Sequence, residues 1–198
     1  MSLQALVILA VSYANAGCAS RFYGLMAIVT RFARLMNLHS IDAVPSNTHC
    51  SMGSLEILPP ASTPTEKEER RRTFWAIFLL DRYLSVSTGW PLQFRDDEIR
   101  TRLPCLDEEF QVSRDCGGND PSGRNPDRDI GSNPLCIEAA ALLGKVVSWL
   151  RTPWNEQEEH HRQREGLSLG EEMENWWREK VQIAGKEKLP FLSGIHNW

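Results

Sequence analysis

The segment Thr65–Pro104, TEKEERRRTFWAIFLLDRYLSVSTGWPLQFRDDEIRTRLP, decides the architecture. Its first half predicts a helix capped at Thr65, with Glu68 at the spacing of a capping box and Pro64 just outside. Glu66, Glu68 and Glu69 then fall in the first turn, where negative charge meets the positive end of the helix dipole. From Thr73 onward the pattern turns apolar. Phe74, Ile77, Phe78 and Leu84 share one face, and Trp75, Leu79, Leu80 and Tyr83 cover the rest of the circumference. A helix apolar all round belongs inside a domain, with other helices on several sides. Asp81 projects into the Phe74/Phe78 face, and a carboxylate left unpaired there costs roughly 3–5 kcal/mol. Arg70 and Arg71 lie too far along the helix to serve it. The expected partner is a donor from another segment, either backbone or an arginine after Gly89. Ser85–Thr88 follow the predicted helix, and Gly89-Trp90-Pro91 makes a turn that no helix continues through. An acidic step, Asp96-Asp97-Glu98, and the pair Leu103-Pro104 close the segment.

Working outward, Leu3–Asn15 predicts a helix with Leu3, Leu6, Val7, Ala10, Tyr13 and Ala14 on one face and a stop at Gly17. The run Leu6–Val11 followed by Ala14-Asn15-Ala16 has some features of a signal peptide. No Lys or Arg precedes it, however, and the apolar stretch is short. Ser20–Leu38 predicts a second helix, capped by Ser20, with Phe22, Leu25, Met26, Val29, Ala33 and Met36 inward. Residues 40–64 read as a loop rich in Ser, Pro and Thr. Residues 107–134 read as a surface insertion rich in Asp, Gly and Asn, whose acidic spacing does not match a calcium loop. Leu135–Leu150 predicts a helix packed against the central one, ended by Pro153. A charged stretch follows, in which only Glu156 and His160 have metal-ligand spacing, and then an amphipathic helix over Leu169–Ile183.

The chain has 198 residues, 41% of them hydrophobic and 24% charged, which suits a domain with a real core. Its net charge of −4 argues against direct DNA binding, which favours a basic patch. The five cysteines, Cys18, Cys50, Cys105, Cys116 and Cys136, form no C-x-x-C pair, so structural zinc has no ligand framework. They read as reduced, partly buried thiols. No phosphate loop, dinucleotide fingerprint, G-x-S-x-G or H-E-x-x-H is present. No stretch is long enough to span a membrane.

The run RRRTFWAIFLLDRYLSVSTGWPLQFRDDEIRTRLP resembles the signature of the fungal-specific transcription factor domain. That domain is the middle homology region of binuclear zinc-cluster regulators, and the xylanolytic-activator type is similar. Arg70 to Arg72, Phe74-Trp75, Leu80-Asp81-Arg82, Gly89 and Pro91, Asp96-Asp97 and Leu103-Pro104 carry the likeness. The stretch QALVILAVSYANAG with the helix after it is similar to the family's opening hairpin. There Asn37-Leu38-His39 stands for a Gly-Leu-His step, and asparagine suits a left-handed cap. The resemblance implies an all-α fold, an irregular multi-helix bundle with long loops. The regulatory domain would cover residues 1–150, shortened at its start so that some apolar surface on the first helix is bared. A charged linker and amphipathic helix would fill 151–198. It implies structural roles for Arg71, Phe74, Trp75, Asp81, Arg82, Gly89, Pro91, Asp97, Leu103 and Pro104, with no catalytic, cofactor or metal residues.

By the same resemblance the chain is a nuclear, non-enzymatic regulatory region. It would act through protein partners, either a second copy or intact regulators, and respond to a small-molecule effector. DNA would be reached only indirectly, because zinc and DNA in the family belong to an N-terminal cysteine cluster. The competing expectation is a small helical metabolite-binding protein or enzyme with a pocket near Asp81.

Overall fold

The computed structural model describes residues 2–43, 58–105, 132–155 and 158–182. Among them every regular element is helical, as the sequence predicts. The chain divides into two compact units, Met1–Asp127 and Arg128–Trp198.

The first unit is built on α1 (Leu3–Asn15), α2 (Ala19–Leu35) and α3 (Pro64–Thr88). α1 and α2 form a tight hairpin through Gly17, whose φ of +68° is left-handed. In that turn the Cys18 amide reaches back to the Tyr13 carbonyl at 2.9 Å. The chain therefore re-enters a helix at Ala19. Cys18 occupies the cap position without a side-chain capping bond, and the expected Ser20 cap is not used. Val7 and Ala10 of α1 and Phe22, Met26, Val29, Thr30 and Ala33 of α2 point into the core. α2 ends at Leu35 and not at Leu38. Asn37 then adopts φ +54°, the left-handed conformation expected of it, and Leu38–Ser40 forms a single tight turn.

α3 begins earlier and ends later than its sequence suggests. Thr63 is the cap, its hydroxyl accepting the Glu66 amide at 3.1 Å, and Pro64 is the first helical residue. A proline fits there because its fixed φ is helical and its missing N–H would have had no partner. Glu66 takes the place predicted for Glu68: its carboxylate accepts both the Ser62 amide and the Ser62 hydroxyl, at 2.8 and 2.7 Å. At the other end the Ser87 and Thr88 hydroxyls bond back to the Tyr83 and Leu84 carbonyls, and Gly89 closes the helix with φ +79°. Ser85–Thr88 thus belong to the helix.

The core face of α3 is closed. Phe74 and Ile77 are fully buried and Phe78 is 1% exposed. Phe74 meets Trp75 edge-on at 5.1 Å and Phe94 at 5.4 Å. The helix is not apolar on every side, however. Tyr83 is 56% exposed, and Leu79 and Leu80 are half-buried.

The second unit holds α4 (Ser132–Arg151) and α5 (Glu159–Trp176), which continues as one wider turn, Trp177–Gln182. The sequence places a charged linker where α5 begins. Instead Asn155 receives the Glu158 amide at 3.0 Å, and one-turn pairs run along the polar helix at Gln163–Glu159, His161–Glu165 and Arg178–Glu174. Trp149 of α4 lies against Gly166 of α5 so closely that an added Cβ would sit 2.9 Å from its ring. The Trp176 indole donates to Glu138 at 2.8 Å. Among the described residues no helix is long and apolar enough to cross a membrane.

Candidate functional site

Of the residues singled out by sequence, Asp81 and Arg82 form the centre of a site where α3 meets the segment that follows it. Asp81 and Arg82, adjacent on α3, are each only 1% exposed. The Asp81 carboxylate accepts the backbone amides of Gln93 (3.1 Å) and Phe94 (3.3 Å), and Arg82 donates to it at 3.2 Å. The expected backbone donors are present. The arginine partner is the next residue on α3 and does not come from the stretch after Gly89. Burial pushes the Asp81 carboxyl above its usual range, against the Phe94 amide and the Arg82 charge, which pull it down.

Arg82 also donates to the Phe94 carbonyl at 2.9 Å and to Asp96 at 2.6 Å, and its guanidinium lies over the Phe78 ring at 4.0 Å. Asp96, and not its neighbour Asp97, thus holds this cation. Asp97 faces outward in an exposed pair with Arg95 at 2.7 Å. Gly89 turns the chain, the Ser85 hydroxyl bonds the Trp90 carbonyl at 2.7 Å, and Pro91 is exposed on the bend. From Phe94 to Cys105 the chain runs back along α3. The Trp75 indole donates to the Arg102 carbonyl at 2.7 Å, and Pro104 is buried while Leu103 is 39% exposed.

A second ionic cluster ties the start of α3 to the turn after α2. Arg71 is bidentate to Asp42 at 2.8 and 2.6 Å and reaches Glu68 at 3.2 Å; Lys67 also pairs with Asp42, at 2.8 Å. Burial alone would raise the Asp42 carboxyl. Hydrogen bonds from Arg71, Lys67 and the Arg102 amide instead hold it far below the usual carboxylate range. Glu68 is 1% exposed and accepts the Cys105 amide at 2.9 Å. It is therefore an inward tie and not the first-turn dipole partner expected of it. Its spacing of three and four to Arg71 and Arg72 was the available signal. Asp42 and Thr101, whose hydroxyl donates to the Leu38 carbonyl at 2.6 Å, carry no local sequence signal.

Asp81 and Arg82 are spent on the backbone of Gln93 and Phe94, on each other and on Asp96. A cleft of about 400 Å3 lies elsewhere in the unit, lined by Leu35, Leu38, Ile41, Leu58, Lys67 and Arg70 among others, and neither Asp81 nor Arg82 borders it. Among the described residues no three His, Cys, Asp or Glu side chains converge as metal ligands. Cys18, Cys105 and Cys136 are half-buried, and burial pushes the Cys136 thiol up. Cys50, Cys116, Glu156 and nearly all of the 107–134 segment lie outside the described residues.

Residues 1–178 match the fungal-specific transcription factor domain, and the chain belongs to that family. It is 34% identical over 123 residues to the pigment biosynthesis transcriptional activator pigB of Monascus ruber, an overlap of 60% of this chain and 21% of that one. It is 30% identical over 150 residues to the depudecin biosynthesis cluster-specific transcription activator DEP6 of Fusarium langsethiae, covering 73% of this chain and 23% of that one. Against the regulatory protein CAT8 of Saccharomyces cerevisiae it is 30% identical over 110 residues, 56% of this chain and 7% of that one. The chain thus spans less than a quarter of the length of each of these relatives. No solved structure matches. The family and these relatives are transcription factors and not enzymes, so the competing expectation, a small helical metabolite-binding protein or enzyme with a pocket near Asp81, is not favoured.

Proposed function

We propose that this chain is the regulatory, non-DNA-contacting region of a fungal transcription factor that controls DNA-templated transcription in the nucleus. The observation that carries the reading is the family match across residues 1–178. The closed ionic hub of α3 supports it: Asp81, Arg82, Glu68 and Arg71 fix a frame, and frames serve binding and restraint better than turnover. The chain works through protein partners, as a homodimer or with intact regulators, and reaches DNA only through them. None of its five cysteines forms the paired spacing that holds a zinc cluster, so no zinc is assigned to these residues. A small-molecule effector would use the mixed polar and apolar cleft beside Leu35, Ile41, Lys67 and Arg70.

A tethering assay tests this. The whole chain is fused to a heterologous DNA-binding domain upstream of a reporter. Reporter output should move away from that of the DNA-binding domain alone, and Phe78→Ala, which destabilises the frame, should bring it back toward that level. A folded, nuclear fusion that leaves the reporter unchanged would contradict the reading.

A further inference from the structure

α2 carries a second apolar stripe, most of which the core leaves exposed. Leu25, Ile28, Phe32 and Leu35 recur at spacings of three, four and three, the seam of a heptad pattern. Ile28, Phe32 and Leu35 are 49%, 41% and 38% exposed. The buried residues of the same helix are Phe22, Met26, Val29, Thr30 and Ala33; half-buried Leu25 adjoins them, while Ile28, Phe32 and Leu35 turn away to the exposed side.

Charge decides what fits there. α2 contains Arg21, Arg31 and Arg34 and no Asp or Glu. Arg34 is committed to Glu98 at 2.9 Å, and Arg21 lies over the Tyr13 ring at 5.7 Å. Arg31 is exposed and meets no carboxylate among the described residues. The seam is therefore bordered by uncompensated positive charge. A second copy laid on it would set these arginines against their own kind. Its far end, Leu35, is also a wall of the cleft, where Lys67 and Arg70 line the rim and are already paired with Asp42 and Glu66. We propose that the Leu25–Leu35 seam of α2 docks an acidic amphipathic helix of a partner protein. That helix would place apolar residues at heptad spacing on the seam and its carboxylates beside Arg21 and Arg31. The inference stands on this surface alone and goes beyond the transcriptional reading.

The test uses the whole chain and a fluorescein-labelled helical peptide of about three heptads, with leucine at the seam positions and glutamate beside them. A second peptide carries lysine in place of each glutamate. Fluorescence anisotropy should show binding of the glutamate peptide only, weakening as salt rises. Ile28→Gln with Phe32→Gln should lower affinity by about tenfold or more, the usual effect of removing central apolar anchors. Ile8→Gln, on the exposed side of α1, should not. Arg31→Glu, at a surface position, should weaken binding of the glutamate peptide and narrow its lead over the lysine peptide. Equal binding of the two peptides would overturn the proposal. So would wild-type affinity in Arg31→Glu, or a dimer in sedimentation that Phe32→Gln dissolves, which would assign the seam to a second copy.

Discussion

At the scale of single residues, Asp81 and Arg82 act as a latch. One carboxylate takes two backbone amides of the returning chain, and one guanidinium takes a carbonyl and Asp96 from the same stretch. Removing one partner leaves the other charged and buried. Asp81→Ala should therefore cost on the order of 3–5 kcal/mol in urea melts, whereas Asp97→Ala, at an exposed pair, should stay within about 0.5 kcal/mol. Asp42 makes stability depend on pH. Its folded-state carboxyl is held below the ordinary 3.8, so its contribution is complete above that value and is lost as pH falls below it. Urea midpoints of the wild type should thus drop more steeply than those of Asp42→Asn between about pH 5 and pH 2; parallel curves would show that Asp42 has no such role. The need for a donor at Asp81 was legible from its place on an apolar face. Asp42 was not, because its partners are distant in sequence and its loop has no periodicity.

At the scale of elements, α3 does most of the organising. Its packing predicts that Phe78→Ala should cost about 3–5 kcal/mol, the range for deleting a buried aromatic ring, with an unchanged urea midpoint as the contrary result. Tyr83→Ala, on the exposed side of the same helix, should cost far less. The apolar period located this helix and its core face, while its ends were displaced. Thr63 and Pro64 outcompeted Thr65 because a proline is well placed as the first helical residue, a local choice that the Thr65/Glu68 spacing masked. Gly89 fixed the other end by adopting the left-handed conformation that glycine favours. α5 was missed as one continuous helix because its first half has no apolar stripe. It is held by one-turn polar pairs and by Trp149 against Gly166.

At the scale of the molecule, the first unit is a helical frame whose central rod is bound to its neighbours by backbone-directed ionic ties. The family likeness was readable because part of it is the latch itself: the Asp81-Arg82 step and Asp96 of the acidic pair meet there, while Asp97 faces outward. The seam on α2 was hidden because the core stripe on the same helix drew the reading inward. The most direct test of the frame is native-state hydrogen exchange at single-residue resolution. The amides of Phe74–Ser85 and those of Gln93 and Phe94 should exchange together, at the rate set by global unfolding, and Asp81→Asn should free the latter pair selectively. Rapid exchange at Gln93 and Phe94 in the wild type, or an α3 no better protected than α5, would contradict the latch and the frame built on it.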